Sequence, residues 1–242
     1  MAMAKAKGVV AVVGVGPKLG RSIARRFAHE GYTVAILARD LDKLSRFADE
    51  IAREENAQVF AIRIDCSDAK SVREAFEGIH SLGFVEVLVY NVGMPMPWNP
   101  PKFTDIRLES FEKSITISAV GAFHCAQQIL PGMVERRKGT ILFTGAEVSI
   151  RGAAGLSELT CGKFALRGLS QCLAREFQPQ GIHIAHIIID GTIGFSRPKE
   201  ANELQEHVLN PDAIAQTYWQ LHIQDQSAWT QEVDLRSFSE RF

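Results

Sequence analysis

The sequence predicts a doubly wound parallel α/β sheet of about seven strands, spanning residues 1–242 as a single domain. Three observations predict it. Short continuous apolar runs recur, as strands covered on both faces require. Amphipathic stretches of helical period separate those runs, and the first run leads directly into a glycine-rich turn.

In chain order, Val9–Gly14 is the first apolar run, and Leu19–Glu30 follows with helical spacing at Ile23 and Phe27 until Gly31 stops it. Thr33–Ala38 is the second strand. Leu41–Glu54 carries Leu44, Phe47, Ala48 and Ile51 on one stripe, with Asp40 as its N-cap. Val59–Ile64, Asp68–His80 and Glu86–Tyr90 supply the third strand, third helix and fourth strand. Four prolines make Gly93–Phe103 a loop. Leu108 to Arg137 reads as one long helix bent near Pro131. Then come the strand Thr140–Thr144, the helix Leu156–Gln178, the strand Ile182–Ile189, a helix near Pro211–His222 and a last strand near Trp229–Leu235.

Composition narrows the function classes. With 27 Lys+Arg against 28 Asp+Glu the net charge is −1, which argues against partners that demand a basic excess, namely nucleic acid and anionic membrane. The N-terminal apolar run is far below the ~18 residues of a membrane span, and no small-residue cleavage site follows it. Cys66, Cys125, Cys161 and Cys172 lie far apart with no CxxC pair. They read as reduced thiols of a cytoplasmic protein, not as a disulfide frame or a metal site. His183 and His186 are three apart on a strand, point to opposite faces and share no metal.

The turn Gly14-Val-Gly-Pro-Lys-Leu-Gly20 joins the first strand to the first helix. Glycines there let the backbone approach a pyrophosphate, and the helix N-terminus supplies N–H groups and a positive dipole end. Gly14, Gly16, Lys18, Leu19 and Gly20 are therefore the candidate phosphate loop of a dinucleotide site; the alternative is a tight turn without a ligand. About 20 residues on, an acid selects NAD and an arginine selects NADP. Arg39 and Asp40 both stand there. Arg39 directly ends the strand while Asp40 suits the helix cap, so NADP(H) is favoured over NAD(H). The alternative for Arg39 is a solvated surface side chain.

With these motifs in view, the chain resembles the short-chain dehydrogenase/reductase family over nearly its whole length. The resemblance rests on Gly14–Gly20, on Asp65-Cys66-Ser67, on Tyr90-Asn91-Val92-Gly93, and on Gly162-Lys163-Phe164-Ala165. It implies a Rossmann-like fold, adenine contacts at Asp65 and Cys66, and a cofactor floor at Asn91 and Gly93. It also implies a nicotinamide contact from the backbone of Ile193, and a dimer or tetramer built on the two long helices.

The chain departs from the family pattern where the chemistry lies. The family's turn has the form TGxxxGxG, and here Val13 replaces the threonine and Lys18 the middle glycine. The family's Asn–Ser–Tyr–Lys tetrad is reduced to Lys163, with Ser118 at the asparagine position, Ala146 at the serine and Leu159 at the tyrosine. Glu158 and Thr160 flank Leu159, but one helical step turns a side chain about 100° from the Lys163 face. Glu147, after the fifth strand, is a candidate general acid, against the alternative of a solvated carboxylate. Asp190 stands where the family has proline.

The expectation is an atypical NADP(H)-dependent oxidoreductase that moves a hydride to or from a small C=O, C=C or C=N substrate, with Lys163, Ser118 and Glu147 as candidate catalytic residues. Segments 94–103 and 194–209 are expected to shape the substrate pocket. The competing expectations are a non-catalytic dinucleotide-binding or assembly protein, and an isomerase or cyclase that reuses the fold.

Overall fold

The structure, a computed structural model, describes residues 7–95, 99–195 and 208–239. Its strands are β1 (Val9–Val13), β2 (Thr33–Ala38), β3 (Val59–Arg63), β4 (Val85–Tyr90), β5 (Gly139–Thr144), β6 (Ile182–Asp190), the short β7 (Thr192–Ile193) and β8 (Val208–Leu209), and β9 (Glu232–Arg236). The helices are α1 (Leu19–His29), α2 (Leu41–Glu55), α3 (Ala69–His80), α4 (Leu108–Ile115), α5 (Gly121–Arg136), α6 (Ser157–Phe177) and α7 (Pro211–His222).

Seven strands form one parallel sheet in the order β3-β2-β1-β4-β5-β6-β9, and β7 pairs with β8 beside it. Alternate residues of each strand feed two cores, as the two-residue period requires. Val9, Ala11 and Val13 face α3, α5 and α6 along with Phe76, Ile129 and Leu166. Val10 and Val12 face α1, α2 and α7 along with Phe27, Ile51 and Tyr218. Phe27 and Phe76 are completely buried, each contributing roughly 1.5–3 kcal/mol by leaving water. The fold is the doubly wound sheet that the apolar runs predict.

One expected element is corrected. The stretch 108–137 is not one helix bent at Pro131: a π-turn over Thr116–Val120 separates α4 from α5, and Pro131 lies within α5. The Gly121 N–H reaches back five residues to the Thr116 carbonyl, a widened turn that re-aims the side chains beside it. The last strand also begins later than expected, at Glu232, after a short turn over Gln226–Ala228. Asp40 caps α2 as expected, accepting from the Lys43 N–H at 3.1 Å.

Order reverses beside β1, whose neighbours are β2 and β4. A crevice opens there beyond the carboxyl ends of the strands, the usual ligand position in such sheets.

Candidate functional site

A cavity of about 430 Å³ fills that crevice. Four loops line it in succession: Gly14–Gly16 after β1, Ala38 and Arg39 after β2, Ile64–Cys66 after β3, and Asn91–Pro95 after β4. Lys113 and Ile117, from α4 and the π-turn, close the remaining side.

The glycine turn is held from below. Gly14 has φ +93°, and a Cβ there would lie 2.6 Å from the Asn91 carbonyl oxygen; only glycine accepts both conditions. The Asn91 amide donates to the Gly14 carbonyl at 2.9 Å, clamping turn to floor. Gly16, by contrast, faces open space in the direction of a Cβ. The N-terminus of α1 has no side-chain cap and no acidic residue in its first turn, so its positive end is left for an anion. These residues fit a dinucleotide pyrophosphate.

Arg39 is exposed and Asp65 half-buried, and both line the cavity from the ends of the adjacent strands β2 and β3. Asp65 accepts from the Ser67 N–H at 2.9 Å and from its hydroxyl at 2.6 Å. Those bonds, the hydroxyl first, hold its carboxyl below the usual range. Lys18 does not point at the turn. Its ammonium donates to the Ile193 carbonyl at 2.7 Å and lies 5.0 Å from the centre of the Phe195 ring.

Deeper in, Lys163 sits on α6 almost fully buried. Its Nζ donates to the Thr144 carbonyl at 2.7 Å and to the Val92 carbonyl at 3.4 Å, beside Gly93. Burial alone brings its pKa down to about 8. Leu159, one turn earlier, is buried and offers no proton. All three tyrosines of the chain are engaged elsewhere. Tyr90 donates to the Ile117 carbonyl, Tyr218 bonds the Thr144 hydroxyl at 2.7 Å, and Tyr32 bonds His222 at 2.8 Å.

The remaining candidates separate. Ser118 is completely buried on the π-turn against Gly162, and its hydroxyl finds no partner among the described residues. Glu147 does not line the cavity; it is ion-paired with Arg151, which counts against its service as an acid. Asp190 joins the β6–β9 seam, 2.8 Å from Arg236, and so has a structural partner. Of the two expected substrate segments, residues 96–98 and 196–207 lie outside the described residues.

Sequence pattern missed two features. Lys113 reads as a solvated helix residue until the fold brings it to the cavity. A chain of polar groups, buried only at its His186 end, also runs beside Lys163: Arg167 grips Glu232 at 2.7 and 2.9 Å, and Glu232 bonds His186 Nδ1 at 3.0 Å. Burial pushes His186 down to about 4, so the ring is neutral at pH 7. Its Nε2 lies against Gly145, where any side chain would overlap the ring. His183 points to the other face and stacks on Trp229. Among the described residues no cluster could hold a metal ion, and no helix is long and apolar enough to cross a membrane.

Comparison with known proteins agrees with this geometry. The chain is 28% identical over 211 residues to 3-ketodihydrosphingosine reductase of Bos taurus; the match takes in 83% of this chain but spans only 62% of that enzyme. A crystal structure of a short-chain dehydrogenase from Rhodopseudomonas palustris superposes with a TM-score of 0.82 at 30% identity, covering 95% of this chain and 98% of that one. An alcohol dehydrogenase of Thermococcus sibiricus complexed with 5-hydroxy-NADP superposes with a TM-score of 0.83 at 26% identity, covering 97% and 98%. The family model described as short chain dehydrogenase matches residues 8–194, and the chain belongs to that family.

Proposed function

We propose that the protein is an NADP(H)-dependent reductase whose chemistry centres on Lys163 and dispenses with a tyrosine acid, acting on a small C=O, C=C or C=N substrate. The observation that carries this reading is the pairing of a crevice that fits a dinucleotide with Lys163, buried against the lining residue Gly93 one turn after Leu159. When bound, the nicotinamide supplies or accepts the hydride.

The chain's own residues do the rest. Gly14, Gly16, Leu19 and Gly20 present backbone and helix end to the pyrophosphate. Arg39, free at the rim, suits a 2′-phosphate, and the solved relative with an NADP analogue is in keeping with that choice. Asp65, Cys66, Asn91 and Gly93 shape the adenine wall and the floor. Two carbonyls orient the Lys163 ammonium, and its remaining N–H is free to hold a ribose hydroxyl or to release a proton at the reacting atom. Imine and C=C reduction ask least of such a site, because neither needs a strong acid at a carbonyl oxygen.

One observation favours a second reading, a non-catalytic dinucleotide sensor: Lys18 already occupies the Ile193 carbonyl that would meet the nicotinamide. A fluorescence titration with NADPH and NADH, followed by a screen of ketones, enones and imines, tests both. NADPH binding with turnover on any class supports the reductase. Binding without turnover supports the sensor, and no binding of either cofactor removes both.

The assembly is proposed as a homodimer or homotetramer. Val120 and Phe123 on the α5 side and Phe164 on α6 remain 40%, 43% and 42% exposed, which suits faces covered by a second copy.

A further inference from the structure

We propose that Cys66 and Cys125 are a peroxide-sensitive thiol pair built into the adenine wall of the cavity, with Cys66 as the attacking and Cys125 as the resolving sulfur. Cys66, though buried, is one of the residues that line the cavity, which is the route a small oxidant takes toward it. Behind it lies α5. Gly121 lets the β3 loop lie directly on that helix: a Cβ at this glycine would stand 2.9 Å from Cys66 Cβ and 2.6 Å from the Cys66 carbonyl oxygen. Cys125 follows four residues later, one turn along on the same face. It is completely buried, on the helix face against which the Cys66 side chain lies.

The two thiols are not equivalent. The Cys125 thiol beside it draws the Cys66 thiol below its usual range despite burial. Burial pushes Cys125 up. The thiolate is the nucleophile, so Cys66 attacks a peroxide oxygen: an S–O bond forms, the O–O bond breaks, and the departing hydroxide takes a proton to leave as water. The Cys125 sulfur then attacks the Cys66 sulfenic acid. The S–S bond forms, the S–O bond breaks, and a second water leaves with the Cys125 proton. Two thiols are oxidised to one disulfide and one hydrogen peroxide is reduced to two waters.

The linkage locks the Cys66 side chain, which already lies against Gly121, onto α5 and ties the adenine wall to that helix. Dinucleotide binding then weakens, and a bound dinucleotide in turn shields Cys66. This second consequence rests on the proposed cofactor site; the disulfide itself does not.

The test uses the full chain with Cys161→Ser and Cys172→Ser, which removes the two exposed thiols. Treatment with a small excess of hydrogen peroxide is expected to lower the mass by two hydrogens, link the Cys66 and Cys125 peptides, and reverse with dithiothreitol. With Cys125→Ser added, oxidation is expected to stop at a Cys66 sulfenic acid that dimedone traps. Unlinked overoxidation of Cys66, or no reaction at either thiol, overturns the pair. NADP⁺ is expected to slow the linkage and the linked form to bind NADPH several-fold more weakly. A disulfide that forms equally fast with NADP⁺ leaves the pair standing and overturns its place in the cofactor wall.

Discussion

The Lys18 ammonium reaches from the first βα turn to the Ile193 carbonyl, 2.7 Å away and 175 residues later in the chain. It ties the glycine turn to β7. The family resemblance gives the Ile193 backbone to the nicotinamide carboxamide, so the lysine and the carboxamide compete. Lys18→Met is therefore expected to tighten NADPH binding several-fold while leaving 2′,5′-ADP, which lacks the nicotinamide, unchanged. Isothermal titration of both ligands decides it; equal weakening of both would make Lys18 a phosphate ligand instead.

Lys163 has the pKa of a group poised near neutrality, about 8. If its ammonium gives the proton, reduction falls as pH rises through that value, because the acid form is lost. Lys163→Met is expected to lower kcat by roughly 10²-fold or more and to abolish the inflection. A pH–rate profile of both proteins is the measurement, and an unchanged alkaline limb in the variant would take Lys163 out of the proton step.

Arg39 is exposed where it lines the cavity, with Asp65 on the adjacent strand end. A charge-assisted hydrogen bond is worth about 1.5–3 kcal/mol, so Arg39→Ala is expected to weaken NADPH by roughly 10- to 100-fold. NADH binding is expected to move little. Parallel fluorescence titrations compare the two cofactors.

Stability is expected to drop in mild acid. Burial holds His186 and His222 at about 4 in the folded chain, against about 6.5 when unfolded. Between those values the unfolded state binds more protons, so stability is complete above about pH 6.5 and declines as pH falls toward 4. Each histidine contributes up to roughly 3 kcal/mol over that window. His186 faces Glu232, Arg167 and Lys163, and His222 faces Glu86, Lys138, Lys7 and His183. Thermal melts from pH 7.5 to 4.5, with His222→Gln flattening the profile, check it.

For the assembly, Phe123→Glu combined with Phe164→Glu is expected to give a smaller species without lowering the melting temperature of the isolated subunit. Light scattering after size-exclusion chromatography reports the mass. A single-chain mass for the unaltered protein would remove the proposed oligomer.

Much of the fold is legible in the sequence because buried parallel strands are simply apolar: β1, β2, β4 and β6 declare themselves without partners. The π-turn at Thr116–Val120 does not, since a five-residue hydrogen bond leaves no composition signal and the tempting marker, Pro131, sits harmlessly inside α5. In the site, the glycines are readable because the turn they form is local to one loop, whereas Asn91 is read through the family resemblance, since its bond reaches the Gly14 carbonyl 77 residues away. The link from Arg167 through Glu232 to His186 is not legible, because its members come from α6, β9 and β6 and meet only in the folded sheet.

At the foot of the sheet, opposite the crevice, Glu86 gathers the Gly8 N–H at 3.1 Å, the Tyr32 hydroxyl at 3.3 Å and the Lys138 ammonium at 2.7 Å. That buried knot works as ballast. It joins the start of β1, β2 and β4 to the approach to β5 without reaching the loops that bind or react. Leucine can therefore stand at position 159, where the family resemblance expects a tyrosine, without touching the contacts that close this end of the sheet.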